Sequence, residues 1–314
     1  MAALGGNALL ERGETPDAAI QRRHVRRAAR ALVPLAANHE LLICHGNGPQ
    51  IGILAVESEA DETLSQPFPL DALGAQTQGL IGYWLSQELR NAGVARPIAT
   101  ILTQTLVDAG DPAFDNPTKF IGPVYKSHHH AERLAREFGW TVAQDGRYWR
   151  RVVPSPQPLG LIELPTIRLL LQARVVTVCT GGGGVPVTEN ESGELSGAEA
   201  VVDKDLAAAR LACDLRADAL LLLTDVPAVM RDFGSTVASP IKCIDTAELK
   251  KMSFPAGSMG PKVEACVRFV ETTGGTAAIG ALGDATALLD GTAGTLVLPD
   301  PARAERPRQT VGIR

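Results

Sequence analysis

Short apolar runs alternate with longer amphipathic stretches along most of the chain. Runs such as VVTVC and ALLLL are apolar at every position, which is typical of strands buried on both faces of a parallel sheet. Between them, apolar residues return at steps of three and four, which predicts helices that each bury one face. We therefore expect an α/β fold in which helices flank a mostly parallel sheet.

The same pattern locates the individual elements. The predicted strands are Ala2–Leu4, Leu41–Cys44, Pro97–Leu102, Tyr148–Val153, Val175–Cys179, Ala219–Leu223, Ala277–Ile279 and Thr295–Leu298. The predicted helices cover about 50–59, 70–92, 127–138, 163–172, 203–213, 246–252 and 260–273. Another helix is expected to run to about Ala37, with Thr15 as its N-cap and Pro16 in its first turn.

Two segments interrupt this alternation. Residues 111–158 are rich in proline and include the polar strand RYWRRVV, which predicts a subdomain inserted through stiff, extended turns. Residues 299–314 have no periodicity, which predicts a loose tail. The remaining residues 1–298, with the insertion, are interpreted as one domain.

Composition and charge narrow the class of protein. Of 314 residues, 45% are hydrophobic and 21% charged, which is ordinary for a folded domain. The net charge is −5 and aromatic residues are 4%, so a nucleic-acid partner is not expected. No stretch approaches 18 consecutive apolar residues, and the amino terminus lacks a secretory signal. We therefore expect a cytoplasmic protein without a membrane partner.

Cysteine and histidine do not form a known metal or disulfide pattern. The five cysteines are widely spaced, without a C-x-x-C pair, so neither a disulfide framework nor a thiolate zinc site is expected. His128, His129 and His130 are consecutive, and adjacent side chains point in different directions on a regular element. A solvated stretch is favoured there over a metal site, and we predict no metal held by side chains of the chain.

Three glycine-rich turns follow three of the predicted strands. Their candidate binding residues are Gly5, Gly6, Asn7, Gly46, Asn47, Gly48, Gly181, Gly182 and Gly183. An open parallel sheet binds its ligand at the carboxyl ends of its strands, and glycine there lets backbone N–H groups approach an anion. The set predicts a site for a phosphate or a transferring phosphoryl group; the alternative is that the glycines serve turn geometry alone.

Three lysines lie at junctions of turns and helices. Lys119 lies in NPTKFIGP, Lys204 in VVDKDLAAA and Lys262 in GSMGPKVEA. Beside glycine and proline, such ammonium groups are candidates for binding phosphate oxygens. The chain has no G-x-x-x-x-G-K-[ST], no G-x-G-x-x-G and no H-R-D, so neither a P-loop, a dinucleotide-binding fold nor a protein kinase is supported.

A series of motifs resembles that of the carbamate kinases, which belong to the amino-acid-kinase fold. The motifs follow the family order from about residue 3 to residue 298: LGGNAL, HGNGPQIG, TQGLIGYW, NPTKFIGP, WRRVVPSPQP, TGGGGVPV, VVDKDLAAARLA, LLLTDV and GSMGPKVEA. The combination of HGNGPQ, NPTK and GSM-x-PK separates this branch from the acetylglutamate, aspartate and uridylate kinases.

The resemblance implies a three-layer α/β/α sandwich with a roughly eight-stranded central sheet and a small protruding lid near the substrate site. It also implies a homodimer. The activity it implies is reversible phosphoryl transfer between ATP and carbamate with Mg²⁺, which gives ADP and carbamoyl phosphate. The usual role of the family is to make ATP during arginine breakdown.

The resemblance also implies roles for individual residues. Lys119 matches the lid lysine that contacts the transferring phosphate, and Lys204 and Lys262 match the lysines that hold the phosphates. Asp205 matches the carboxylate that organises these two lysines. The first two glycine turns match those around carbamate and the γ-phosphate. Asp225 and Met259, with Lys204 and Lys262, are placed on the nucleotide side.

The chain departs from the family pattern at three places. Only Met1–Ala3 precede Leu4, so we expect either an upstream start or a short first strand. Phe120 stands where proline is common, and Pro227 where an acidic residue is common. Two alternative functions remain open: an enzyme of the same fold that acts on another small carboxylate or phosphate, and a ligand sensor without catalytic activity. No general base is expected, and His45 is interpreted as a residue that hydrogen-bonds within its turn.

Overall fold

The computed structural model describes residues 1–6, 9–11, 13–254 and 257–301. Its helices are α1 (Ala18–Asn38), α2 (Gly48–Ala60), α3 (Leu70–Asn91), α4 (His128–Phe138), α5 (Leu164–Gln172), α6 (Lys204–Leu215), α7 (Thr246–Leu249), α8 (Met259–Thr273) and α9 (Ala285–Leu289). Its strands are β1 (Ala2–Leu4), β2 (Leu42–His45), β3 (Ile98–Thr100), β4 (Gln104–Leu106), β5 (Lys119–Tyr125), β6 (Thr141–Asp145), β7 (Tyr148–Val153), β8 (Gly160–Leu161), β9 (Val176–Val178), β10 (Val185–Glu189), β11 (Leu195–Gly197), β12 (Ala219–Thr224), β13 (Met230–Arg231), β14 (Ser239–Pro240), β15 (Cys243–Asp245), β16 (Thr276–Ala281) and β17 (Thr295–Leu298). The candidate residue Asn7 and most of the predicted tail at 299–314 lie outside the described residues.

The central sheet has eight strands in the order β15-β17-β16-β12-β1-β2-β9-β3. Neighbouring strands run parallel except β16 and β17, which are antiparallel. The mostly parallel, roughly eight-stranded sheet predicted from the sequence is therefore confirmed. β1 lies in the middle of the sheet although only three of its residues pair with β12 and β2.

Helices cover both faces of this sheet because successive strand residues point to opposite sides. On β1, Ala2 and Leu4 belong to a core cluster with α1, α3 and α9. Ala3, which lies between them, belongs to a second cluster with α6, α7 and α8. All three residues are completely buried. The result is the three-layer α/β/α arrangement that the resemblance implies.

A separate antiparallel sheet forms within the predicted insertion. Its strand order is β5-β7-β6, and with α4 it makes up residues 119–153, which we call the lid. The chain leaves the body after β4 and returns at β8, and these two strands pair with each other through Thr105 and Leu161. The lid is thus an excursion between two neighbouring strands, while the exact limits 111 and 158 stay a prediction.

The start of α1 differs from the expected one. The helix begins at Ala18, and its N-cap is Asp17, whose backbone is extended with ψ 139°. The hydroxyl of Thr15, the expected cap, instead donates to the Asp17 carboxylate at 2.9 Å. Pro16 lies before the helix, where its carbonyl accepts a hydrogen bond from the Gln21 side chain.

Among the described residues, no helix has the length and apolar character needed to cross a bilayer.

Candidate active site

The candidate turns meet at one edge of the central sheet. They follow β12, β1, β2 and β9, which are four consecutive strands in the sheet order. Hydrogen bonds tie the turns together, since the Gly5 N–H donates to Leu223 O at 2.8 Å and the Gly46 N–H donates to Leu4 O at 2.9 Å. The carboxyl ends of these strands therefore form one continuous edge, which is where a parallel sheet places its ligand.

Close packing between the turns requires glycine at specific positions. A Cβ at Gly46 would lie 2.9 Å from the backbone nitrogen of Gly6. A Cβ at Gly182 would lie 2.1 Å from Nδ2 of Asn47, and Gly182 also has a φ of +64°. Neither position accepts a side chain without displacement of a neighbour. The turns after β1, β2 and β9 are therefore in direct contact with each other.

His45 ends β2 and is 1% exposed. Its Nδ1 lies 3.0 Å from the carbonyl oxygen of Gly46, so this nitrogen carries the proton and donates. Burial lowers the pKa of His45 to about 4, against the opposing effect of that hydrogen bond. The imidazole is therefore neutral near pH 7, as expected of a residue that hydrogen-bonds within its turn.

Asn47 is oriented by a neighbouring helix. Its side-chain amide donates to Thr77 Oγ1 at 2.8 Å, and Thr77 Oγ1 in turn donates to Gly74 O at 2.7 Å on α3. Asn47 is 5% exposed, and its backbone precedes Gly48, the first residue of α2. The turn after β2 is therefore fixed both by its own helix and by α3.

The three lysines converge on two acids at the start of α6. Lys204 Nζ lies 2.7 Å from Asp205 Oδ1, and Lys262 Nζ from α8 lies 3.0 Å from Asp205 Oδ2. Lys119 is expected at the junction of a turn and a helix but is instead the first residue of strand β5. It pairs with Asp203. Three cations from three separate elements thus lie beside two acids that are two positions apart in sequence.

The N-terminus of α6 positions this cluster. Asp203 is the N-cap, and its Oδ1 accepts the backbone N–H of Asp205 at 2.8 Å and that of Leu206 at 3.3 Å. Its Oδ2 is left for Lys119. Asp203 is not among the predicted site residues, although an aspartate at the start of the helix predicted over 203–213 is an ordinary signal of an N-cap.

At Asp205, the neighbouring lysines lower the pKa by more than burial raises it. Burial alone would raise the pKa of this carboxyl, but Lys204 and Lys262 hold the pKa well below its usual range. Burial likewise acts to lower the pKa of Lys262, and Asp205 with more distant acids raises it above the ordinary value. Asp205 and Lys262 are therefore both charged near neutral pH.

Lys204 has unused hydrogen-bonding capacity. Its Nζ is buried and, among the described residues, makes no hydrogen bond; its approach to Asp205 Oδ1 is a charge contact without hydrogen-bond alignment. A buried ammonium group whose N–H groups lack aligned acceptors is costly. An anionic ligand with free oxygens would supply what the ammonium lacks.

The candidate nucleotide-side residues lie next to this cluster. Asp225 follows β12, accepts a hydrogen bond from Thr224 Oγ1 at 3.0 Å, and is among the acids that raise the pKa of Lys262. Met259 is the first residue of α8, one turn before Lys262. The structure thus places both beside one of the phosphate-binding candidates.

Two of the departures from the family pattern have defined surroundings. Phe120 lies at the root of the lid, where the Arg150 guanidinium stands 5.7 Å from its ring centroid. A Cβ at Gly257 would lie 3.8 Å from the same ring. Phe120 therefore bridges the lid and the loop before α8. Pro227 lies beyond Asp225, and its carbonyl oxygen would be 3.1 Å from a Cβ at Gly280.

A family model described as "Amino acid kinase family" matches residues 2–280. The chain belongs to the amino acid kinase family. It is 47% identical over 320 residues to the carbamate kinase of Rhizobium meliloti (strain 1021), covering 97% of this chain and 98% of that protein. It is also 47% identical to the carbamate kinase of Haemophilus influenzae (strain Rd) over 94% of this chain and 95% of that protein.

The fold of this amino acid kinase is also similar to that of a solved carbamate kinase structure. The carbamate kinase from Giardia lamblia bound to AMP-PNP superposes with a TM-score of 0.86 at 38% identity, covering 95% of this chain and 98% of that chain. The resemblance to the carbamate kinases is therefore confirmed by sequence and by fold.

Proposed function

We propose that this amino acid kinase transfers a phosphoryl group reversibly between ATP and carbamate, with ADP and carbamoyl phosphate on the other side of the equilibrium. The observation that carries the proposal is the cluster of Lys119, Lys204 and Lys262 held by Asp203 and Asp205 beside the glycine turns. The similarity to carbamate kinases along almost the whole chain supports carbamate as the acceptor.

The reaction needs charge neutralisation and alignment more than proton transfer. In the direction of ATP synthesis, a β-phosphate oxygen of ADP attacks the phosphorus of carbamoyl phosphate. The bond between phosphorus and the carbamate oxygen breaks, and carbamate leaves as an anion. No proton changes place, so no general base is required. A neutral, buried His45 is compatible with this chemistry.

The lysines would act on the transferring phosphoryl group. Lys204 and Lys262 would donate to its oxygens, and Asp205 would hold both ammonium groups directed to one point. Lys119 would approach from the lid and exchange its contact with Asp203 for a phosphate oxygen. Each such donor stabilises charge that is spread over the equatorial oxygens in the transition state.

The remaining candidates would bind the two substrates. Gly5, Gly6, Gly46 and Gly48 would direct backbone N–H groups to carbamate and the γ-phosphate, with Asn47 as a side-chain donor. The turn at 181–183 would close this pocket from the β9 side. On the opposite side, Asp225 and Met259 would contact the nucleotide.

We propose that Mg²⁺ accompanies the nucleotide. Within the described part of the chain, no three His, Cys, Asp or Glu side chains are arranged to hold a metal, and Asp205 already lies between two lysines. These residues fit an ion that is bound through phosphate oxygens and water. When bound, Mg²⁺ would neutralise phosphate charge that the lysines do not reach.

A homodimer is the proposed assembly. β3 is an edge strand of the central sheet, and Leu102, which follows it, is 49% exposed. On α3, which packs on β3 through Gly82 and Thr100, Tyr83 is 52% exposed. Among the described residues, no further strand pairs with this edge, and an edge of this kind beside exposed apolar side chains fits pairing with a second copy of the chain.

The direct test is ATP formation from ADP, Mg²⁺ and carbamoyl phosphate, measured with a coupled luminescent assay. We expect ATP from carbamoyl phosphate and at least about tenfold less from acetyl phosphate, because a buried polar site discriminates against an analogue that lacks a donor. Folded protein that makes no ATP from carbamoyl phosphate contradicts the proposal. Higher activity with acetyl phosphate indicates the alternative acceptor class, and nucleotide binding in calorimetry without turnover indicates a sensor.

A further inference from the structure

The lid contacts the body through a buried carboxylate outside the lysine cluster. Glu59 of α2 accepts two hydrogen bonds on Oε1, from Trp140 Nε1 at 2.8 Å and from Arg151 Nη1 at 2.9 Å. The Glu59 side chain is 8% exposed and that of Arg151 is 15% exposed. We call Glu59, Trp140 and Arg151 the lid clamp.

The lid clamp holds the lid at two separate points. Arg151 lies on β7, and Trp140 lies between α4 and β6, so one carboxylate connects the start and the end of the β6–β7 hairpin to α2. The Arg151 guanidinium also stands 4.8 Å from the centroid of the Trp140 ring. The two donors therefore support each other's orientation, and the hairpin has little freedom to pivot while both bonds are present.

Strand register transmits this attachment to the lysine cluster. Arg151 lies opposite Ile121 in the β5–β7 ladder, and Lys119 lies opposite Val153. Side chains two residues apart on a strand point to the same face, so Lys119 and Arg151 are diagonal neighbours on one face of the lid sheet. A shift of β7 relative to α2 would carry β5, and with it Lys119, away from Asp203.

Close backbone packing makes the position of β5 sensitive to such a shift. A Cβ at Gly52 of α2 would lie 1.9 Å from the Cα of Gly122 on β5, so the two backbones are in direct contact. α2 begins at the turn that holds Asn47. The same helix therefore carries the candidate substrate turn at its start, the β5 contact in its middle and Glu59 near its end.

A second carboxylate extends the network from the lid to α3. Arg151 Nη2 lies 3.9 Å from Glu199 Oε1, and Glu199 Oε2 accepts the backbone N–H of Leu70, the first residue of α3, at 2.8 Å. Glu199 lies four residues before Asp203. Arg151 thus pairs with Glu59 of α2 and also lies near Glu199, whose carboxylate binds the first residue of α3.

We infer that Glu59 is a positioning residue for phosphoryl transfer, which acts by holding the lid so that Lys119 reaches the transferring phosphate. This inference rests on the proposed function. It predicts a loss of activity that depends on the presence of Lys119, because Glu59 lies outside the turns and the lysine cluster that contact substrate.

A double-mutant cycle tests the inference with the coupled ATP assay on full-length protein. Glu59→Ala is expected to lower kcat/KM for carbamoyl phosphate by about 10-fold to 100-fold, as expected for a misplaced catalytic group. In a Lys119→Ala background, the same change is expected to alter kcat/KM by no more than about twofold. Glu59→Gln, whose amide oxygen still accepts both bonds, is expected to restore most of the activity.

Two further variants make the test independent of folding. Glu57→Ala changes an exposed glutamate of the same helix and is expected to leave kcat/KM unchanged. If Glu59→Ala does not fold, Trp140→Phe removes the indole donor while it keeps a smaller aromatic ring, and it is expected to cost about threefold to tenfold, again only when Lys119 is present.

Equal losses with and without Lys119 would overturn the inference, as would full activity of Glu59→Ala. Either result leaves the proposed function intact, since the wild-type chain still makes ATP. A wild-type chain that makes no ATP refutes the proposed function instead.

Discussion

Asp205 is buried between two ammonium groups, and because of this arrangement either lysine can be replaced while Asp205 stays paired with the other. Its carboxylate contacts Lys204 and Lys262 on separate oxygens, so removal of one lysine leaves the other paired. Replacement of a single lysine therefore removes a proposed phosphate donor without leaving an uncompensated buried charge, which is the costly case. The lysines can be tested one at a time in folded protein.

Lys204→Ala and Lys262→Ala are each expected to lower kcat by about 10²-fold to 10³-fold, since each removes a donor to the transferring group. Both variants are expected to keep the far-ultraviolet circular dichroism of the wild type. Lys251→Ala, which changes an exposed lysine outside the cluster, is the matched control. Wild-type turnover in either cluster variant would refute the role assigned to that lysine.

His45 contributes to stability in a way that depends on pH. Its pKa is lowered to about 4 in the folded state by burial, from an ordinary value of 6.5. The unfolded chain therefore binds a proton at His45 below about pH 6.5 that the folded chain does not bind. The stability that His45 contributes is present above this pH and is lost as the pH falls toward 4.

His45→Asn removes this titration. The loss of unfolding free energy relative to the wild type is expected to be smaller at pH 5 than at pH 8, by roughly 2 kcal/mol. Urea denaturation at the two pH values measures both differences. A loss of the same size at both pH values would show that His45 is not held neutral.

At the scale of elements, α2 joins the candidate substrate turn after β2 to the lid. The contact between Gly52 and Gly122 leaves no space for a methyl group. Since Gly122 contributes backbone atoms there, no side-chain rotation can relieve the overlap. The helix and the strand must separate if Gly52 gains a side chain.

Gly52→Ala is therefore expected to destabilise the chain by about 1–3 kcal/mol and to lower kcat/KM. Gly74→Ala provides the comparison, because a Cβ at this α3 position would meet nothing within 4 Å. It is expected to stabilise the helix by roughly 0.5–1 kcal/mol. Chemical denaturation of both variants measures the effects, and a neutral Gly52→Ala would contradict the described contact.

Periodicity predicts many of the helices and strands, in the central sheet and in the lid, because their burial pattern is local in sequence. The strand predicted at Ala2–Leu4 and the one at Tyr148–Val153 have the observed bounds, and the helix predicted over 70–92 is Leu70–Asn91. β4 and β8 have only three and two residues and pair with each other across the lid. Such short strands are set by tertiary pairing, which a local pattern does not contain.

The candidate site, too, is predicted in part from local sequence, while the rest depends on tertiary contacts. Glycine after the predicted strands, and lysine beside glycine and proline in predicted turns, indicate a phosphate site from local sequence alone. The pairing of Lys119 with Asp203 joins residues 84 positions apart, and the contact of Glu59 with Arg151 joins residues 92 positions apart. No spacing rule reaches that far, so the partner acids emerge only once the lid and α6 are placed in space.

At the scale of the whole molecule, the two edges of the central sheet differ. β15 lies at one edge and β3 at the other. Gly82 and Thr100 hold α3 closely against β3, which places the exposed Tyr83 beside this edge. The proposed dimer would extend the sheet or pack the α3 faces there.

Light scattering coupled to size exclusion is expected to give twice the 33.1-kDa mass of one chain. Tyr83→Asp is expected to give the mass of one chain, because a charge in a buried apolar interface opposes association. Leu169→Asp, at a 65% exposed position on α5, is the matched control outside the proposed face and is expected to keep the dimer mass. A monomeric wild type, or a Tyr83→Asp variant that stays dimeric, would contradict the proposed face.

The position of the transferring phosphate tests the central claim most directly. We propose a crystal structure of this chain with AMP-PNP and Mg²⁺. We expect γ-phosphate oxygens within about 3 Å of the ammonium groups of Lys204 and Lys262, with the glycine turn after β1 on the other side. A γ-phosphate bound away from these lysines, with the pairs to Asp205 undisturbed, would contradict the account.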